Sequence, residues 1–419
     1  MIDMNKVIKE LPDMLSGNEL QKTMSIIPKY DKQIQKDGSM TERLLKLSDL
    51  YSIYIPSQMS TEIYSKLYLG IIRSMQKKRN KLAVQQFNST YRTMQNIKNK
   101  TGNQQYDGII GGSDSFTIIG ASGIGKSSAI SRALNLMEAN HVIEIEHPYT
   151  KILPCLTVQC PFDSSVKGLL LEILRKVDEQ LGTDYAQTRR FTTDMLIGAV
   201  SQVCLNHIGL LVVDEIQNVV NSKNGKNLIG SLTQLINNSG ISICMVGTPE
   251  SEIFFEQAMQ LARRSVGLKY TALPYNEHFC KVCECLFSYQ YVKNITQIDN
   301  TIIDWLYQHS AGIISIVVSL IHDAQEIAIL NGREVLDNKS LNEAYNNRLS
   351  MLHDYIKPAM RKKTIGNNKM KKQNNITILP IEDNADIQTD LIQNLAKECK
   401  KDGTDIVEIL SQYITVEVV

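Results

Sequence analysis

The sequence predicts an α/β protein built on a five-stranded parallel sheet in a three-layer α/β/α core, with a helical N-terminal region on one side and a helical subdomain on the other. Three observations predict it. Between residues 106 and 275 short apolar runs alternate with amphipathic stretches, the rhythm of parallel strands joined by crossover helices. One run leads into a glycine-rich loop, GASGIGKS (Gly120 to Ser127), and a helical pattern follows it. Another, LLVVDE (Leu210 to Glu215), is a short apolar run that ends in two acids, as a buried strand with a charged tip does.

Residues 1–105 read as mostly helical. Ile63, Leu67, Ile71 and Met75 recur at four-residue spacing on one helix face, with Pro56 and Ser57 as a start signal upstream. TGNQQYDG (Thr101 to Gly108) reads as a turn-rich linker. In the core the expected strands are Phe116–Ile119, Cys155–Cys160, Leu210–Asp214, Ile241–Val246 and Leu268–Leu273. Ser128–Glu138, Ser165–Leu181 and Asn227–Asn238 are the expected helices. Val142–Glu146, HisProTyr and Lys151–Leu153 suggest an extra hairpin between the first two core strands. Residues 276–356 form a lid of four expected helices, Glu277–Gln290, Asn300–His309, Ile314–Leu330 and Ser340–Leu352, with the lone Trp305 in its core. Residues 357–419 form a flexible basic linker and an acidic tail with one expected helix, Gln388–Lys401.

The 419 residues are 43% hydrophobic and 21% charged, enough for a sizeable core. No run is long and apolar enough to span a membrane. The first residues carry acids and lack a signal-peptide core, so a cytoplasmic location is expected. The eight cysteines are scattered, and reduced thiols inside apolar runs suit that compartment. A net charge of +1 hides an asymmetry: Ile71 to Lys100 holds eight Lys or Arg and no acid, and Lys357 to Gln373 holds seven and no acid. Beyond Asn374 the chain carries nine acids against three lysines. Such basic runs fit phosphate contacts, and a solvated helix face would carry the same charges.

GASGIGKS matches the phosphate-binding pattern G-x-x-x-x-G-K-S without a gap. Gly120, Ser122, Gly123, Ile124, Gly125, Lys126, Ser127 and Ser128 are the expected nucleotide-binding residues. Glycines let the backbone N–H groups wrap round phosphate oxygens, and the helix that follows adds its positive end. Lys126 supplies a point charge to the β- and γ-phosphates, and Ser127 a hydroxyl to Mg²⁺. Asp214 at the strand tip would hold Mg²⁺ through water, and Glu215 would polarise the attacking water. ATP and Mg²⁺ are therefore the expected cofactors and ATP hydrolysis the expected reaction. Cys155–Cys160 stands between the two motifs and is expected to be the additional strand that marks hydrolytic P-loop NTPases. Thr248, at the tip of the fourth strand in GlyThrProGlu, is a candidate γ-phosphate sensor. Arg263 and Arg264 end the helical stretch before the fifth strand, where a guanidinium could stabilise transition-state charge. His278, Cys280, Cys283 and Cys285 cluster without a second Cys/His pair and read as packed side chains rather than a zinc site.

The order of parts resembles the AAA+ ATPases, and within them the TnsC/TniB family that regulates target choice in DNA transposition. IYIPSQMSTEIYSKLYLGIIRSMQKK (Ile53–Lys78), GASGIGKSS (Gly120–Ser128), LLVVDEIQN (Leu210–Asn218), MVGTPE (Met245–Glu250) and QLARR (Gln260–Arg264) carry the likeness, which covers residues of about 50 to 355. The IYIPS segment looks more like the TnsC branch. The resemblance implies a homo-oligomeric ring or filament around duplex DNA that bridges a TniQ/TnsD-type target selector to transposase subunits, with no membrane role. It makes Arg263 or Arg264, Arg263 first, the finger that reaches a neighbour's γ-phosphate. Lys151 in the extra hairpin, and Lys223 or Lys226 after the acidic strand, are the candidate DNA contacts. Binding through the DNA backbone would be largely sequence-independent. The sequence departs from many AAA+ lids in one place: Ser310 to Ser315 (SAGIIS) has no arginine of the Gly-x-x-Arg type. Three alternatives share these motifs: a replication initiator or helicase loader, a signalling ATPase switch without a DNA role, and a nonhydrolysing adaptor. An initiator usually appends a helix-turn-helix reader, and none is evident after Leu352.

Overall fold

A computed structural model describes residues 4–76, 115–146, 149–163, 165–187, 192–219, 225–239, 241–252 and 266–353. The chain divides into two compact units, Met1–Met360 and Arg361–Val419, and all described residues belong to the first. The Thr101–Gly108 linker, both basic runs beyond residue 76, the acidic tail with Gln388–Lys401, and Lys223, Arg263 and Arg264 lie outside the described residues.

Five short helices open the chain: α1 (Met4–Lys9), α2 (Gly17–Met24), α3 (Lys32–Asp37), α4 (Met40–Lys46) and α5 (Asp49–Ser52). A longer helix, α6, occupies residues 58–76. Then come β1 (Phe116–Gly120), α7 (Lys126–Leu136), β2 (Ile143–Glu146), β3 (Tyr149–Gln159), α8 (Val166–Leu181), α9 (Thr193–His207), β4 (Ile208–Asp214), α10 (Gly225–Ser239), β5 (Ser242–Gly247) and β6 (Val266–Tyr270). The described chain closes with α11 (Glu277–Phe287), α12 (Asn300–Ser310), α13 (Ile314–Leu330) and α14 (Asn338–Arg348). Side-chain caps set many helix starts: Ser165, Thr192, Asn276 and Asp299 each accept a first-turn backbone N–H. No single described helix is long and apolar enough to cross a membrane.

The sheet order is β2-β3-β4-β5-β1-β6. Five strands run parallel and β2 pairs antiparallel with β3. Strand side chains alternate between two cores. Leu211, Val213, Ile243 and Met245 pack with α8, α9 and α10 on one face. Leu210, Val212, Cys244 and Val246 pack with α7 and with Ile63, Leu67, Ile71 and Met75 of α6 on the other. This is the expected α/β/α sandwich, buried on both faces.

Three details differ from the sequence reading. The strand inserted between the loop-bearing β1 and the acidic β4 is β5, whereas Cys155–Cys160 falls in and just after β3, on β4's far side; order along the chain is not order across the sheet. The extra hairpin is not separate, because β3 is continuous through Pro154: its first part pairs with β2 up to Ile152, and its second with β4 from Leu153. Proline, lacking a ladder donor, is tolerated where pairing changes partner. Helix α9 was not expected; seven of its residues are buried, and its exposed stripe of Asp194, Gly198 and Gln202 offers only two polar side chains to mark a 3.6-residue period.

The N-terminal segment has no core of its own among the described residues. Leu47 and Leu50 join the core of α11–α14, which also holds Phe279, Leu306, Leu320 and Leu341. A buried ion pair ties the two together. Arg43, 3% exposed, meets Glu334 in a two-pronged contact of 2.6 and 2.7 Å and also donates to the Tyr291 carbonyl at 2.9 Å. The Arg43 bonds hold the Glu334 carboxyl below its usual range. Removing the arginine leaves a partly buried carboxylate with the Lys293 backbone N–H, at 3.1 Å, in place of a charged partner. Arg43→Ala is expected to lower stability by about 3 kcal/mol, read by denaturant melts. Because the folded carboxyl titrates low, the pair's contribution is complete above the ordinary glutamate range and is lost as pH falls through the depressed value. Stability of the variant should therefore fall less on acidification than that of the wild type.

Candidate active site

The C-terminal ends of β1, β4 and β5 lie side by side, the edge at which open parallel sheets carry their ligand crevices. β1 enters the loop Gly120–Gly125, and α7 begins at Lys126. Gly123 and Gly125 have φ of 78° and 98°, a left-handed backbone that glycine adopts without a Cβ penalty. Lys126 is 9% exposed, and its ammonium donates to the Gly120 and Ala121 carbonyls at 2.6 and 2.9 Å. Burial holds its pKa below the ordinary lysine range, opposed by Asp214, Glu215 and Glu250.

β4 ends on Asp214, whose Oδ2 accepts the Ser127 hydroxyl at 2.8 Å. Glu215 follows with φ 58°, a conformation costing a non-glycine residue about 1 kcal/mol. Its N–H donates to Asp214 Oδ1 at 2.8 Å, and its exposed carboxylate accepts the Gln217 amide N–H. The neighbouring β5 runs into Thr248. The Thr248 hydroxyl bonds the Glu250 carboxylate, which is held below its usual range by that bond first, then by its own backbone N–H and by Lys126.

These groups enclose a cavity of about 220 Å³, lined by Ser122, Lys126, Ser127, Asp214, Glu215 and Thr248 among others. A second cavity, of about 700 Å³, shares the loop and extends over Tyr54, Met59, Tyr270, Leu273 and Val318. A charged, glycine-walled space joined to a larger apolar one suits a phosphate chain and a base with its sugar. The Ser127 hydroxyl and Asp214 carboxylate offer only hard oxygen donors, which fit Mg²⁺. Residues of the phosphate loop, Ser127, Asp214, Glu215 and Thr248 thus line one cavity. Gln217 and Glu250 were not singled out, although both stand in strings quoted above; only the spatial neighbourhood of Glu215 and Thr248 reveals them.

The candidate DNA contacts are less open. Lys151 lies 3.4 Å from Glu144 and donates to the Leu181 carbonyl at 3.4 Å, so its charge is shared within the sheet edge. Lys226 is in the first turn of α10. Cys280, Cys283 and Cys285 are unpaired, and Cys283 is buried in the core of the C-terminal helices. Trp305 is partly buried against the same core, stacked on His309 at 3.9 Å.

Fold and site together have the form of a P-loop nucleotide-binding fold. Residues 110–253 match the family model described as an AAA domain. No curated protein matches the chain. Among solved structures, the Aeropyrum pernix ORC1 protein in complex with DNA is similar at 17% identity and a TM-score of 0.40, over 55% of this chain and 59% of that one. A chain from work on katanin self-assembly is similar at 13% identity and a TM-score of 0.33, over 56% and 71%. The alignment thus spans less than two thirds of the first of these chains.

Proposed function

We propose that this chain is an ATP-driven regulator of DNA transposition, of the TnsC-like kind its motifs resemble. It assembles with ATP on duplex DNA and bridges a TniQ/TnsD-type target selector to transposase subunits. The observation that carries this reading is the position of the IYIPS segment. Ile53, Tyr54 and Ile55 line the larger cavity beside Gly123 and Gly125 of the phosphate loop. This position supports reading the N-terminal string that points to the TnsC branch as a contributor to the nucleotide site.

In this reading Lys126 meets the β- and γ-phosphates, and the loop N–H groups cradle them. Ser127 and Asp214 would hold Mg²⁺, which would neutralise phosphate charge when bound. Glu215 takes the proton of the attacking water, oriented by Gln217. Thr248 reports the γ-phosphate, and Arg263 or Arg264 completes a neighbouring subunit's site. The core and lid divide at about residue 275, and the basic linker and acidic tail after residue 356 dock the transposase.

Electron microscopy of the full chain with duplex DNA and a slowly hydrolysed ATP analogue tests the proposal. Rings or filaments enclosing the duplex are expected, forming on unrelated DNA sequences and dissolving as salt is raised. A protein that stays monomeric with both ligands present, or assembles identically without DNA, would overturn it.

A further inference from the structure

The two cavities share four residues, Gly123, Gly125, Ser128 and Ser315. Three belong to the phosphate loop and its helix. Ser315 does not: it is the second residue of α13, and no other residue of α11–α14 lines the smaller cavity. Its backbone N–H donates to the Gly123 carbonyl at 3.2 Å, tying the lid to the middle of the loop. The approach is close on the side-chain side as well. A Cβ on Gly123 would stand 2.2 Å from Ser315 Oγ and 2.9 Å from Ile313 Cγ2, so only glycine lets the two elements meet. Among the described residues the Ser315 hydroxyl has no hydrogen-bond partner, which leaves its donor for an occupant of the cavity. In Gly312-Ile-Ile-Ser315 the serine stands where a Gly-x-x-Arg sequence has its arginine.

We propose that Ser315 is the lid's phosphate-contact residue. Its hydroxyl donates to the terminal phosphate while its N–H holds the loop, so the lid follows the γ-phosphate through a neutral hydrogen bond instead of a guanidinium charge. The proposal rests on the nucleotide reading above and adds to it the group through which triphosphate is told from diphosphate. The smaller cavity is the appropriate end, because Asp214, Glu215 and Thr248 line it too. A hydroxyl adds no positive charge on lid closure, so within the subunit Lys126 remains the main cationic contact to the phosphates.

The test titrates full-length wild type, Ser315→Ala and Lys126→Ala with ADP and with a slowly hydrolysed ATP analogue, in Mg²⁺, alongside thermal melts. Ser315→Ala is expected to keep the wild-type melting temperature and to weaken the ATP analogue about tenfold, the value of one hydrogen bond to a charged acceptor, with ADP affinity unchanged. An unaltered preference for the ATP analogue over ADP overturns the assignment. Equal weakening of both nucleotides also overturns it, since that marks Ser315 as a packing residue only. A wild type that binds neither nucleotide instead overturns the nucleotide reading itself.

Discussion

On the proposed reading, Glu215→Gln is expected to leave ATP affinity near its wild-type value and to slow hydrolysis by about 10³-fold, within the range of a lost general base. The separation of effects follows from the geometry. Glutamine keeps the size of the side chain, and the turn it sits on is held by the backbone: the residue-215 N–H bonds Asp214 Oδ1, with φ at 58°. The loop carbonyls, Lys126 and the Ser127–Asp214 pair are untouched. Only the carboxylate that accepts the Gln217 amide is lost, and with it the proton acceptor. Single-turnover phosphate release beside an equilibrium nucleotide titration reads the two quantities separately. In the assembly proposed here the variant accumulates on DNA with ATP. Hydrolysis at the wild-type rate would remove Glu215 from the chemistry and favour a nonhydrolysing adaptor.

Lys126→Ala acts on the other quantity. ATP affinity is expected to fall by about 10³-fold, the scale of truncating one partner of a buried, hydrogen-bonded charge pair. The folded protein should survive, because what the ammonium holds is two carbonyls of its own loop. The residue also gives the wild type a pH signature. Burial lowers the Lys126 pKa, and the charged form is the one that binds phosphate. In wild type, nucleotide affinity is therefore present at neutral pH and fades on the alkaline side, before an ordinary lysine would discharge. Isothermal titration across alkaline pH should show this fall in the wild type and a flatter profile in the variant. Equal affinity in the two proteins at neutral pH would show that the loop binds without its lysine.

What could be read from the chain and what could not divide along physical lines. The phosphate loop was legible because its chemistry is local: glycines, lysine and serine act within eight residues, between a buried strand and a helix. β4 was legible because a fully buried strand must be apolar and its exposed tip need not be. The buried face of α6 was legible because Ile63, Leu67, Ile71 and Met75 repeat at helical spacing, and all four are at most 1% exposed. Helix α9 was hidden by burial on several sides, and Pro154 split a continuous strand because proline is read as a breaker. Sheet order was out of reach, since β5 slips between β1 and β4 through contacts that no local pattern encodes. The same is true of Arg43 and Glu334, which meet across 291 residues of sequence. Ser315 lay in view as the missing arginine, and its contact with Gly123 spans two elements that only tertiary packing brings together.

The shared core of Leu47 and Leu50 with α11–α14 has a consequence for the chain during its own synthesis. These leucines leave the ribosome well before Phe279, Leu306, Leu320 and Leu341, the side chains that shelter them. Synthesis at about 5–20 residues per second separates the two by a wait on the order of ten seconds or more. Throughout that interval the first helices present apolar surface with nothing to cover it, and a chain cut short near residue 275 would present it permanently. Aggregation of C-terminal truncations is thus an expected outcome of the topology, because the last helices made are the ones that complete the first.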